Sequence, residues 1–260
     1  MKQQRKIPVR LLIMLGFVAF SVISYYMKSS KNPVTGESQR VDMTPEQEVA
    51  MGLQSAPQMA AEFGGLYQSA ELQSQVRSIG QRIVNNSGAA QSPYQFNFHV
   101  LADERTINAF ALPGGQIFIT YAMISQLGGE NEVAAVLGHE IGHVIHRHSA
   151  EQMAKQGLLN GIVRGVAMGS GDMSGAQVAQ YVGKMLNMKY GRDDELESDA
   201  EGIKYCHQAG YDATAAIKVM ELLAKTSGGE SRSEFMSTHP NPANRITELQ
   251  KGLRKLGYKL

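Results

Sequence analysis

A single cysteine, Cys206, stands among 260 residues, so no intrachain disulfide can form. The cysteine count therefore says nothing about redox compartment, and Cys206 reads as a small buried hydrophobe. Charge of one sign is scarce too. The chain carries a net +1, and the four basic residues of the first 27 (Lys2, Arg5, Lys6, Arg10) leave 21 basic against 24 acidic side chains in the remainder. Such a balance excludes a nucleic-acid footprint. Long uncharged apolar runs are missing except at the start, where LLIMLGFVAFSVISYYM, Leu11 to Met27, holds 17 residues without a charge and Ile7 to Val9 extend it to bilayer length. SVISYYMKSS offers little of a small-x-small cleavage site, no lipid-accepting cysteine follows the run, and Tyr25 and Tyr26 resemble interfacial anchors. The expectation is an uncleaved anchor, residues 1–27, with the basic end in the cytoplasm; a cleaved signal is the alternative. With 43% apolar residues, the rest can bury one substantial core.

Residues 28–43, KSSKNPVTGESQRVDM, are polar and contain Pro and Gly, as a linker does. From Thr44 the spacing predicts a helix to about Phe63, with Thr44 as cap, Pro45 in the first turn and Gln47 reaching back. A second helix, Ser69 to Asn85, carries Leu72, Val76, Ile79 and Ile83 on one stripe. After Pro93 the period falls to two through Tyr94, Phe96, Phe98 and Val100, which predicts a half-buried strand with His99 on its solvated side. NAFALPGGQIFIT, 108–120, adds two extended pieces around a Pro-Gly-Gly turn, so a small antiparallel sheet is expected. Gly157, Gly161, Gly165 and Gly169 form a smooth stripe on a further helix, expected to turn near Gly169-Ser170-Gly171 and to accept another backbone closely.

GHEIGHVIHRHS, 138–149, packs four histidines and a glutamate into twelve residues. HExxH on a helix sets His139 and His143 one turn apart on one face, with Glu140 beside the open position of a bound metal. His146 shares that face but lies about 10 Å along the axis from His139, beyond a ~2.1 Å bond to the same metal. His148, nine residues past His139, is expected on the opposite face and solvated. The extension HExxHxxGxxH is absent, since His146 and Ser149 occupy its Gly and His places. A third ligand must come from elsewhere, and DDELESDAEG, 193–202, offers carboxylates. Glu195 and Asp199, four apart, share a helical face, so that one can ligate while the other supports a ligating histidine; Glu197 and Glu201 fall on other faces.

HEIGH followed by ELESD resembles the gluzincin metallopeptidase family that includes the CAAX prenyl protease, HtpX, the mitochondrial Oma-type peptidase and the periplasmic BepA. NAFALPGG, NEVAAVLGHEIGHVIHRHS and STHPNPANRI are similar to the same family, and the likeness spans roughly residues 43–250. The resemblance implies an α+β, mostly helical peptidase domain, 44–260, of the single-anchor kind. A recognisable tetratricopeptide repeat region is not expected in this sequence. The resemblance further implies one zinc ion held by His139, His143 and Glu195, with Glu140 as general base and Asp199 behind the ligands. His239 of THP is implied near the zinc, as oxyanion donor or as occupant of the open position, and Arg245 as a supporting residue. Substrate is expected to lie extended beside an edge strand at Ala109, Phe110, Ala111 and Leu112. The implied function is endoproteolysis of unfolded or misassembled envelope proteins from a single-pass inner-membrane protein facing the periplasm, or from a secreted form. The competing class is a membrane-tethered holdase or scaffold with a structural zinc.

Overall fold

The computed structural model describes residues 9–170, 190–226, 235–239 and 244–260. The chain divides into two compact units, one of Met1–Lys31, Glu37–Asp42 and Ala150–Met188, the other of Asn32–Gly36, Met43–Ser149 and Lys189–Leu260. In the first unit, helix α1 (Val9–Met27) is long and apolar enough to cross a membrane by length and composition. A two-stranded antiparallel ribbon, β1 (Ser30–Lys31) with β2 (Ser38–Gln39), falls within the stretch expected as a linker. Lys28 pairs with Asp42 at 2.5 Å, and the Arg40 guanidinium lies 4.9 Å from the Tyr26 ring centre. Helix α6 (His148–Ser170) bears the glycine stripe; a Cβ at Gly161 would meet Ser21 Cβ of α1 at 2.9 Å, whereas one at Gly157 would meet nothing within 4 Å. Gly171 and the turn expected there lie outside the described residues.

The second unit is built where the sequence signals are strongest. Helix α2 (Pro45–Glu62) starts on the expected reciprocal cap, with Thr44 Oγ1 accepting from Gln47 N and Gln47 Oε1 accepting from Thr44 N. Helix α3 (Ala70–Asn85) is capped by Ser69 and buries Val76, Ile79 and Ile83, each worth roughly 1.5–3 kcal/mol of transfer free energy. Strands β3 (Asn97–Leu101), β4 (Ala109–Leu112) and β5 (Gln116–Thr120) form a sheet in the order β3-β5-β4. β4 and β5 are an antiparallel hairpin whose turn needs Gly114 at φ 76°. β3, however, runs parallel to β5, so the sheet is mixed and not antiparallel throughout. Alternation of apolar residues reports which face is buried and is blind to strand direction. His99 is half-buried, stacked on Phe118 and within 3.1 Å of Gln116 Oε1, because β3 has a covered second face.

Behind the sheet run α4 (Tyr121–Gln126) and α5 (Glu130–Ile145), the latter buried over 13 of its 16 residues, from Val133 to Ile145. α5 stops at Ile145. Arg147 adopts the left-handed conformation, φ 58°, held by Glu48 Oε1 at 2.8 Å from Nε and by the Met43 carbonyl at 2.7 Å from Nη2. Asn32 Nδ2 donates to the Ile145 carbonyl at that helix end. Helices α7 (Arg192–Gln208), α8 (Ala215–Thr226), α9 (Phe235–Thr238) and α10 (Arg245–Lys255) complete the unit. Cys206 on α7 is buried, its thiol donating to the Ala134 carbonyl, and burial pushes its pKa up to about 12. It is a core residue.

Candidate metal centre

Small residues bring the two site-bearing helices together. A Cβ on Gly142 of α5 would stand 2.9 Å from Ser198 Cα of α7, and one on Gly202 would stand 2.9 Å from the His139 backbone nitrogen. At that separation the inward faces of both helices meet directly. His139 Nε2 lies 3.0 Å from His143 Nε2 and 3.5 Å from Glu195 Oε2, and His143 Nε2 lies 3.5 Å from Glu195 Oε1. The chain returns after α9 to add His239, whose Nδ1 is 3.4 Å from His139 Nε2 and 3.0 Å from Glu195 Oε1. These four side chains offer one ligand atom each within 4.8 Å of one another, and all four residues are buried.

Outer partners decide which atoms face inward. His139 Nδ1 lies 2.9 Å from Asp199 Oδ1, while Arg245 grips Asp199 through Nε and Nη2, each at 2.7 Å. Arg245 Nη1 stands 2.8 Å from Glu195 Oε2, so one buried guanidinium sets both carboxylates. Burial works against ionising Asp199, but Arg245 and His139 outweigh it and hold its pKa at about 2. His143 Nδ1 lies 2.8 Å from His148 Nδ1, and His148 Nε2 lies 3.2 Å from Glu197 Oε2. With both outer nitrogens so engaged, neutral His139 and His143 turn two Nε2 lone pairs toward each other at 3.0 Å. Opposed lone pairs in a buried site require a proton or a cation between them. Burial opposes protonation of His139, yet Asp199 and Glu195 raise its pKa; burial and the surrounding imidazoles drive that of His143 well below its usual value. Tetrahedral donors at ~2.1 Å from one ion are about 3.4 Å apart, near the spacings observed, and the two imidazoles and carboxylate are an N/O set that borderline divalent metals take. The residues fit a metal.

Glu140 projects beside this cluster with both carboxylate oxygens buried and without hydrogen-bond partners among the described residues. Its Oε1 lies 3.8 Å from His239 Nε2, and burial raises its pKa against the pull of the histidines. Aromatic rings wall the site. Tyr190 stacks on His143 at 4.1 Å with its hydroxyl 3.0 Å from Ser149 Oγ, and Phe235 stacks on His239 at 4.3 Å. Nothing in the local sequence of Tyr190 or Phe235 marks either as part of a site.

The structure thus brings together His139, Glu140, His143, Glu195, Asp199, His239 and Arg245, and places Ala109 to Leu112 on an edge strand, β4, of the sheet. One expectation is corrected. His148 is buried, not solvated, because the left-handed Arg147 ends α5 and redirects the next residue inward against His143. Glu197, off the face of Glu195 and Asp199 as expected, meets both His146 and His148.

Peptidase family M48 matches residues 70–252, most of the chain. The chain is 30% identical over 226 residues to the beta-barrel assembly-enhancing protease of Yersinia pestis, covering 83% of this chain and 46% of that protein. It is 30% identical over 243 residues to the mitochondrial metalloendopeptidase OMA1 of Schizosaccharomyces pombe, covering 92% of this chain and 70% of that one. To the protein of the same name from Saccharomyces cerevisiae it is 31% identical over 169 residues, covering 62% of this chain and 48% of that one. The chain thus spans about half the length of two of these three relatives.

Proposed function

The chain belongs to Peptidase family M48, and its relatives here carry the names of a protease and of metalloendopeptidases; from that premise we propose that it is a zinc endopeptidase acting on unfolded or misassembled proteins at a membrane. The observation that carries this reading is the Glu140 carboxylate, buried and without a hydrogen-bond partner among the described residues, beside the His139, His143 and Glu195 donor set. A purely structural metal has no use for a base there, which disfavours a tethered holdase or scaffold.

In this reading His139, His143 and Glu195 hold one zinc ion, Asp199 and Arg245 fix His139 and Glu195, and His148 with Glu197 fixes His143. Zinc so held supplies Lewis acidity, polarising a peptide carbonyl and lowering the pKa of water from ~15.7 towards about 7. Glu140 takes the proton of the attacking water and passes it to the leaving amine. Its burial suits both halves of that task, since a carboxyl with raised pKa is a better base and, once protonated, still a competent acid. His239 has two candidate tasks: its Nδ1 lies among the ligand atoms, as a fourth donor requires, and its Nε2 faces Glu140. Substrate pairs with the edge strand β4, so recognition favours extended and unfolded segments over a particular sequence.

Helix α1, with basic residues before it, tethers residues 44–260 as a peptidase domain on the non-cytoplasmic side of an inner membrane; removal of α1 as a signal is the other arrangement. The relatives' names, an assembly-enhancing protease and a mitochondrial metalloendopeptidase, support a role in protein quality control in an envelope. Zinc-loaded protein is expected to degrade casein, to spare a stably folded protein of similar size, to lose activity to a chelator and to regain it with zinc. Equal degradation of folded and unfolded substrates would remove the quality-control reading; chelator-resistant hydrolysis would remove the metal.

A further inference from the structure

His148 has a second neighbourhood beyond the centre just described. His146, His148 and Glu197 each offer one ligand atom, and the three atoms lie within 4.8 Å of one another. Glu197 Oε2 stands 3.3 Å from His146 Nδ1 and 3.2 Å from His148 Nε2. These spacings are close to the roughly 3.4 Å that separates donors bound to one tetrahedral zinc at ~2.1 Å. Both imidazoles are buried, and the Glu197 side chain is 48% exposed, which leaves the group a route to solvent. The three residues sit at the break between α5 and α6 and on α7, so their backbone positions are fixed by the same Gly-lined crossing that builds the catalytic cluster.

We propose that His146, His148 and Glu197 form a second site for a divalent metal of the zinc type, with water completing its coordination, and that filling this site weakens the catalytic centre. The coupling rests on the reading of His139, His143 and Glu195 as metal ligands; the second site by itself does not. His143 Nδ1 and His148 Nδ1 are 2.8 Å apart, and only one hydrogen fits between two nitrogens at that distance. When His143 ligates through Nε2, that hydrogen is its own, and His148 must accept it while carrying its own hydrogen on Nε2, toward Glu197. A cation on His148 Nε2 takes the place of that hydrogen. The neutral ring keeps one hydrogen, now on Nδ1, where it opposes the hydrogen of His143. Ser198 Oγ, 3.2 Å from His148 Nδ1, is the acceptor to which His148 then turns. His143 thereby loses the partner of its outer nitrogen, and a loss of that kind typically costs about 10- to 100-fold in metal affinity or in activity.

The test is equilibrium dialysis of the full chain against buffered zinc, read as zinc per chain, with casein hydrolysis measured on the same samples. The wild type is expected to take up two equivalents, and hydrolysis to fall about tenfold or more as the second binds. His146→Ala is expected to stop at one equivalent and to escape that inhibition. Glu197→Gln, at a half-exposed position that tolerates exchange, is likewise expected to stop at one. His139→Ala is expected to lose the tight equivalent and keep the other, so failure of the catalytic reading and failure of the second site leave different stoichiometries. A wild type that stops at one equivalent, or a His146→Ala chain that still binds two, overturns the second site. A second equivalent that fills without loss of hydrolysis overturns the coupling.

Discussion

Glu195 and Asp199 stand one helical turn apart and share Arg245, yet they differ in what their remaining oxygens meet. Glu195 points both oxygens at imidazole nitrogens of the cluster, whereas Asp199 reaches only the outer nitrogen of His139. Glu195→Ala is therefore expected to lower metal occupancy and hydrolysis together. Asp199→Asn is expected to keep more metal than activity, with a loss of about 10- to 100-fold, read by metal analysis beside casein hydrolysis. Arg245 and His139 hold the Asp199 carboxyl below its ordinary pKa, down to about 2, so it is expected to stay ionised through mild acid. His239 has its Nδ1 among the ligand atoms, so His239→Ala is expected to raise basal hydrolysis by clearing the open position. Zinc X-ray absorption checks it independently, through a third imidazole nitrogen in the resting wild type. A fall of about a hundredfold in the variant would assign His239 to the oxyanion instead.

The crossing of α5 and α7 is the element on which the centre depends. Gly138 and Gly142 are written into GHEIGH, but only the structure shows that a methyl at 142 would press on the Ser198 backbone. An alanine ordinarily favours a helix over glycine by about 1 kcal/mol. Here Gly142→Ala is expected to destabilise by roughly 1–3 kcal/mol through overpacking and to lower metal affinity, read by thermal unfolding and zinc titration. Helices α2 and α3 were legible because Thr44, Gln47 and Ser69 are local caps whose chemistry acts within one turn. The end of α5 was not legible, since Arg147 takes a left-handed conformation that a glycine would have announced and an arginine does not. Its stabilisation comes from Glu48, 99 residues away in sequence, and this hid the inward turn of His148. The parallel pairing of β3 with β5 was hidden for a similar reason, because pairing direction is a long-range property.

For the whole molecule, the candidate ligands His139 and His143 and the shared face of Glu195 and Asp199 were readable because HExxH and ELESD lie on regular helices, where spacing fixes direction, whereas the choice of Glu195 as third ligand came with family resemblance. His239 came only with family resemblance, and Tyr190 and Phe235 carried no signal, since they enter the site from segments between helices or in a short one. Helix α1 is exposed and apolar in its own unit, so deleting residues 1–27 is expected to move the protein from a carbonate-resistant membrane fraction to a soluble one. Retention in the membrane would place the anchor elsewhere. The catalytic assignment is tested most directly by Glu140→Gln, with zinc per chain and casein hydrolysis measured on the same preparation. Because Glu140 touches none of the ligand atoms by hydrogen bond, zinc content is expected to stay near that of the wild type while hydrolysis is lost. Wild-type hydrolysis in the zinc-loaded variant would contradict the assignment of Glu140 as the base.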